Sequence, residues 1–224
     1  MTASPTRAAF FKVEGALVAP QPLPPAAWFV LNQRELKARV TRLGGLVAAL
    51  GLGAAAPLGE RTLATKLAWA GLRGMSEDRL HVLAEEYDER QIRPAVRSLG
   101  LELVERAKAE GCAIVLVSEW LDLLVAPLAA RIGADRVVSN RMELVDHAAT
   151  GRLVDPIVGP ISTRWARDLA TELHLDLARS RAYGHSGGDA LLLAAVGEPC
   201  AVHPDWRLRR IAKDHDWPIL ERER

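Results

Sequence analysis

Cysteine is scarce in this 224-residue chain, which has only Cys112 and Cys200. The two lie far apart, without the close spacing of metal ligands, and each sits beside an apolar run. That pattern excludes a disulfide framework and points to buried thiols in a reducing compartment. An excess of charge is also lacking, with 29 Lys and Arg against 28 Asp and Glu. Without a net field, nucleic acid and anionic membranes are not expected as partners. Residues 1–7 run into the first apolar stretch without the hydrophobic core of a signal peptide, so a cytoplasmic location is expected. No apolar run spans a bilayer comfortably. The longest, residues 43–58, is broken by four glycines and a proline. It reads as a helix packed inside a helical insert, with contact to a membrane surface or self-association as a homo-oligomer as the alternatives. No transmembrane segment is expected.

What the chain does have is a short apolar run that ends in charge. Residues 8–16 read Ala-Ala-Phe-Phe-Lys-Val-Glu-Gly-Ala. Side chains two apart on a strand share a face, so Lys12 and Glu14 would point into one crevice beyond the strand's carboxyl end. Open α/β sheets bind ligands there. Taken alone, the stretch is better read as an edge strand that closes on a solvated ion pair.

The pattern then divides the chain. Pro20, Pro22, Pro24 and Pro25 form a connector that cannot continue regular structure. From Ala26 to Pro94 the spacing is helical. Ser76 is placed to cap a helix with Glu77 and Asp78 in its first turn, and Leu80, Leu83, Ala84 and Tyr87 form its apolar face. From Pro94 helices and strands alternate: a helix over 99–109, a strand over 113–117 ending at Ser118, a helix over 120–132. A short strand over 136–139 and a hairpin over 142–158 turning at Ala149-Thr150-Gly151 come next. The remainder reads as helix 162–173, strand 181–184, helix 189–196, strand 199–202, helix 206–214 and an edge strand over 218–220. The fold class is therefore α/β: a Rossmann-like parallel sheet core with helices on both faces, plus an inserted all-helical cap. Residues 1–19 and 95–224 would form the core and 20–94 the cap.

Three strand ends line up: Lys12-Val-Glu14-Gly15, Ser118, and Gly184-His185-Ser186-Gly187-Gly188-Asp189. With Ala149-Thr-Gly-Arg152 and the run from Leu191 to Asp205, they resemble the haloacid dehalogenase-like phosphatases over nearly the whole chain. The resemblance is to the phosphoserine phosphatase branch, with its helical cap after strand one. In that family the first strand ends Asp-x-Asp-Gly-Thr, the first aspartate attacking phosphorus and helping to hold magnesium, the second acting as acid and base. Here the matching residues are Lys12, Glu14 and Ala16. The phosphate-binding Ser or Thr is kept as Ser118. The family's lysine matches Ser162, with Arg164 one helical step away as a partial replacement. The final Asp-Ser-x-x-Asp, which supplies magnesium ligands, reads His185-Ser-Gly-Gly-Asp189.

Chemistry makes these changes serious. An ammonium has no lone pair for a cation, and magnesium wants hard oxygen ligands. Lys12 beside the metal position would oppose it by roughly 4 kcal/mol per unit charge at about 4 Å and an effective dielectric of about 20. The nucleophilic carboxylate is also missing. The resemblance, so modified, implies a catalytically degenerate pseudophosphatase with a binding, scaffold or regulatory role. Its partner would be a protein or an anionic small molecule held by Lys12, Ser118, Arg164 and the amides of Gly187 and Gly188. No cofactor is expected on this reading. Lys12 would sit in the metal position, bonded to Asp189 and Glu14, or form a purely structural ion pair. Ser118 would hold an anion, cap the following helix, or both. His185 reads as a hydrogen-bonded crevice histidine. The alternative is a metal-dependent phosphomonoesterase with a remodelled site, using Mg2+ with Asp189, His185 and Glu14 as residual ligands.

Overall fold

Phe10 and Phe11 show why the first strand lies in the middle of a sheet. One ring packs with Ala8, Val115 and Val117, the other with Ala9, Ile114 and Leu116, and all of these are buried. A strand apolar on both sides needs cover on both sides. The computed structural model describes residues 6–32, 61–154, 158 and 164–221, with backbone only for 61–64, 164 and 165. The expectations for Ser162 and for the apolar stretch 43–58 fall outside these residues.

The main sheet has β1 (Ala8–Lys12), β2 (Ala113–Leu121), β3 (Arg136–Asn140), β6 (Arg181–Gly184), β7 (Glu198–Val202) and β8 (Ile219–Leu220). Their spatial order is β3-β2-β1-β6-β7-β8, every pairing parallel. A separate antiparallel hairpin pairs β4 (Met142–Val145) with β5 (Ala148–Leu153). The chain runs outward from β1 through β2 to β3, then returns to the other side of β1 for the remaining strands. The carboxyl ends of β1, β2 and β6 therefore flank a topological switch point. Helices α4 (Ser98–Ala109) and α5 (Asp122–Ile132) bury apolar residues in one cluster, which includes Leu103, Leu124 and Leu128. Helices α6 (Arg164–Glu172), α7 (Ala190–Ala194) and α8 (Trp206–Asp214) contribute Ala166, Leu193 and Leu208 to the other. The Rossmann-like α/β reading holds.

Between β1 and β2 lie α1 (Pro25–Leu31), α2 (Arg61–Ala70) and α3 (Glu77–Tyr87). Ser76 caps α3 as its sequence suggests, its hydroxyl accepting from Arg79 N–H, and Leu80, Leu83, Ala84 and Tyr87 are the buried face. A π-helical turn, Asp88–Ile92, leads back to the sheet. Asp88 is 1 % exposed. It accepts two hydrogen bonds from Arg131 of α5, at 2.6 and 2.9 Å, and one from Arg93 at 3.0 Å.

Three sequence readings are corrected. β1 is central, with β2 and β6 on either side, so its charged end is no edge-strand ion pair on the surface. β2 continues past Ser118 to Leu121, and α5 starts only at Asp122, so Ser118 cannot cap that helix. The hairpin turns at Asp146-His147, both with positive φ (50° and 57°), as a two-residue turn requires. Gly151, which had suggested the turn, lies within β5, where a Cβ would come within 2.8 Å of the Ala70 carbonyl oxygen.

Candidate functional site

β1 delivers Lys12 as its last residue, and the chain then bends through Gly15 (φ 85°), whose N–H donates to the Val18 carbonyl at 2.7 Å. This bend brings Glu14 beside the end of β2. Oε1 of Glu14 accepts from the Ser118 hydroxyl at 2.7 Å, from Glu119 N–H at 2.8 Å and from Trp120 N–H at 3.3 Å. One carboxylate oxygen thus collects three donors, which hold residues 118–120 extended and explain why β2 runs longer than its apolar core. The register against β3 shifts between Val117 and Leu121, the irregularity that aims these amides at Glu14.

Lys12 lies at the centre, its side chain 7 % exposed. Nζ is 3.1 Å from Glu119 Oε1, 3.2 Å from Glu14 Oε2 and 3.9 Å from Asp189 Oδ1. Only the Glu119 contact has hydrogen-bond geometry. Glu14 Oε2 is close enough to be attracted but is a buried oxygen without a hydrogen-bond partner among the described residues. Burial works against the ammonium, yet Glu119, Glu14 and Asp189 outweigh it and raise Lys12 above the ordinary 10.5. Lys12 is therefore firmly charged and no nucleophile. Burial pushes the Glu119 carboxyl up, Lys12 pulls it back, and Glu14 and Asp189 push it up again, leaving it above the usual 4.5. Its side chain keeps 31 % exposure, so water screens part of this.

β6 ends at Gly184, and His185 to Asp189 form the third side. Asp189 Oδ2 accepts from His185 N–H (2.9 Å), Ser186 N–H (2.8 Å) and the Ser186 hydroxyl (3.2 Å). This locks the turn, so Asp189 is both a loop anchor and a partner of Lys12. The His185 ring packs over Gly15, where a Cβ would come within 2.0 Å of it. Its Nδ1, 3.3 Å from the Val202 carbonyl, must carry the proton, because a carbonyl only accepts.

Lys12, Glu14, Ser118, His185 and Asp189 are thus brought together as expected. Gly187 does not serve as a ligand-facing amide: its N–H is spent on the Asp205 carboxylate at 3.1 and 3.2 Å. Gly188 is buried in the same turn. Arg164 is described only as the first residue of α6. Glu119 was missed as a site residue. As an acid just after Ser118 it suited the first turn of an expected helix, and only the extended backbone turns it toward Lys12.

Magnesium does not fit this donor set. Three carboxylates converge, but the point they share is held by an ammonium. Among the described residues no three His, Cys, Asp or Glu side chains are placed to hold a metal ion.

An α/β sheet with charged strand ends at its switch point defines the general class, and sequence comparison supplies the family. The haloacid dehalogenase-like hydrolase profile matches residues 9–194, and the chain belongs to that family. It is 35 % identical over 150 residues to the inhibition of morphological differentiation protein of Streptomyces azureus, covering 66 % of this chain and 54 % of that one. It is 33 % identical over 155 residues to phosphoserine phosphatase SerB1 of Mycobacterium tuberculosis, covering 69 % and 50 %. The chain spans about half the length of these relatives. In structure it is similar to a protein of unknown function from Bordetella pertussis Tohama I, with TM-score 0.79 and 22 % identity over 97 % of this chain and 99 % of that one. An apo phosphoserine phosphatase gives TM-score 0.68 at 14 % identity, over 97 % and 95 %. The fold is that of the phosphoserine phosphatase branch.

Proposed function

We propose that this chain keeps the phosphatase scaffold but not magnesium-dependent phosphoryl transfer, and serves as a binding or regulatory protein. The observation that carries this reading is the Lys12 ammonium buried among Glu14, Glu119 and Asp189. If Lys12 matches the family's attacking aspartate, the chain has neither the nucleophile nor room for the cation. Helices α1, α2 and α3, within residues 20–94, would act as a cap over the crevice, and the partner would be a protein or a small anion.

The names of the relatives favour a second reading more than the first. Several are called phosphatases or hydrolases, which supports a phosphomonoesterase with a remodelled site. Under it, Asp189, Glu14 and Glu119 would have to receive a metal after Lys12 withdrew. Hydrolysis of an aryl phosphate with magnesium, manganese, zinc or no metal separates the two. The first reading expects no metal-dependent turnover. Turnover that requires a metal and disappears in Asp189→Ala supports the second.

A further inference from the structure

The three donors at the end of β2 already hold an anion, and it belongs to the chain itself. Ser118 is fully buried, and its hydroxyl points with the Glu119 and Trp120 amides at one spot. Converging amides and a hydroxyl beside an ammonium make a receptor for an oxyanion. Glu14 fills it imperfectly. The Ser118 hydroxyl and Glu119 N–H crowd onto Oε1, which shares the Trp120 N–H with Ser118 Oγ, while Oε2 faces Lys12 without a hydrogen bond. A tetrahedral oxyanion would offer separate oxygens to Ser118, to the two amides and to Lys12.

We propose that Glu14 is a self-ligand, an autoinhibitory carboxylate seated in an oxyanion site, and that the site takes a phosphate group only when Glu14 leaves. This rests on reading the crevice as an anion-binding site. It adds that the resting chain is closed to its ligand. Glu14 is free to leave in one respect: its side chain is 25 % exposed, whereas that of Lys12 is 7 % exposed. The receptor stays in place while its occupant has a way out to solvent. A closed population of about 99 in 100 weakens apparent affinity about a hundredfold.

The test is calorimetric titration of inorganic phosphate, and in a second arm phenyl phosphate, into the full chain and two variants. Glu14→Ala empties the site. Glu14→Gln keeps the shape but offers a neutral amide, which such donors hold less tightly than a carboxylate. The expected order of affinity is wild type, then Glu14→Gln, then Glu14→Ala, the last about a hundredfold tighter than wild type. Adding Ser118→Ala to Glu14→Ala should abolish the gain. Should Glu14→Ala fail to fold, Glu14→Gln carries the same comparison, with a gain of about tenfold expected. A gain for phosphate alone identifies a free-ion site, and an equal gain for phenyl phosphate one open to monoesters; either supports the self-ligand. Folded variants that bind phosphate no better than wild type overturn it. That failure is distinct from failure of the proposed function, which would appear as metal-dependent turnover by the wild type.

Discussion

Lys12 Nζ lies 3.1 Å from Glu119 Oε1, across the boundary between the ends of two neighbouring parallel strands. This contact fixes the charge balance of the crevice. Three carboxylates meet one ammonium, so full ionisation would leave an excess of two negative charges in a largely buried space. Burial first, and then the charges of Glu14 and Asp189 against the pull of Lys12, raise the Glu119 carboxyl.

Removing the ammonium should therefore be costly. Lys12→Met is expected to destabilise the fold by about 3–5 kcal/mol at neutral pH, since it leaves partly buried charges without a partner. Denaturant unfolding measures it. The deficit should shrink as pH falls and the raised Glu119 carboxyl takes up a proton, and a deficit independent of pH would contradict the charge argument.

Glu119 gives a second pH signature. Its folded carboxyl lies above the ordinary 4.5, so its favourable contribution is complete below that value and lost as pH rises through the folded one. Lys12 is also raised, so its contribution persists at every pH below 10.5 and fades only in strong alkali. Glu119→Gln should flatten the fall in stability as pH rises above 4.5 and, because Glu119 is the strongest influence raising Lys12, move the alkaline limb to lower pH. Thermal melts across pH check both limbs.

The sheet and most of its helices are legible in the sequence because their signals are local. Apolar runs such as 8–11 and 113–117 mark strands, and Ser76 marks a helix start. The site was legible only at the positions that a strand end identifies: Lys12, Glu14, Ser118, His185 and Asp189. Glu119 was not, because its direction depends on whether β2 stops at Ser118 or continues. That is settled by a side chain 104 residues earlier, the Glu14 carboxylate on Ser118 and the following amides. Asp88 escaped for the same reason, since its two arginine partners arrive from beyond α3.

Asp88 and Arg131 provide an asymmetric test. Arg131→Ala leaves a buried carboxylate with Arg93 alone, and should cost about 2–3 kcal/mol. Asp88→Ala leaves arginines that are 33 % and 55 % exposed and able to reach water, so it should cost less, about 1–2 kcal/mol. Equal losses by chemical denaturation would show that the carboxylate is not held chiefly by Arg131.

Gly15 and His185 should couple in a double-mutant cycle. Gly15→Ala adds a methyl 2.0 Å from the imidazole and places a non-glycine residue at φ 85°. The conformational strain alone is about 1–2 kcal/mol, so the clash should bring the total above about 3 kcal/mol. In a His185→Gly background, which removes the ring and also the Cβ 2.5 Å from the added methyl, only the strain should remain. Additive losses would mean that the ring moves aside freely.

The proposal that the Lys12 ammonium takes the place of a divalent cation is tested most directly by titrating magnesium into the wild type and into Lys12→Asp, read by calorimetry and by melting temperature. Saturable heat and a concentration-dependent rise in Tm are expected for Lys12→Asp, which gathers four carboxylates, and neither for the wild type. Saturable binding by the wild type that disappears in Asp189→Ala would contradict it.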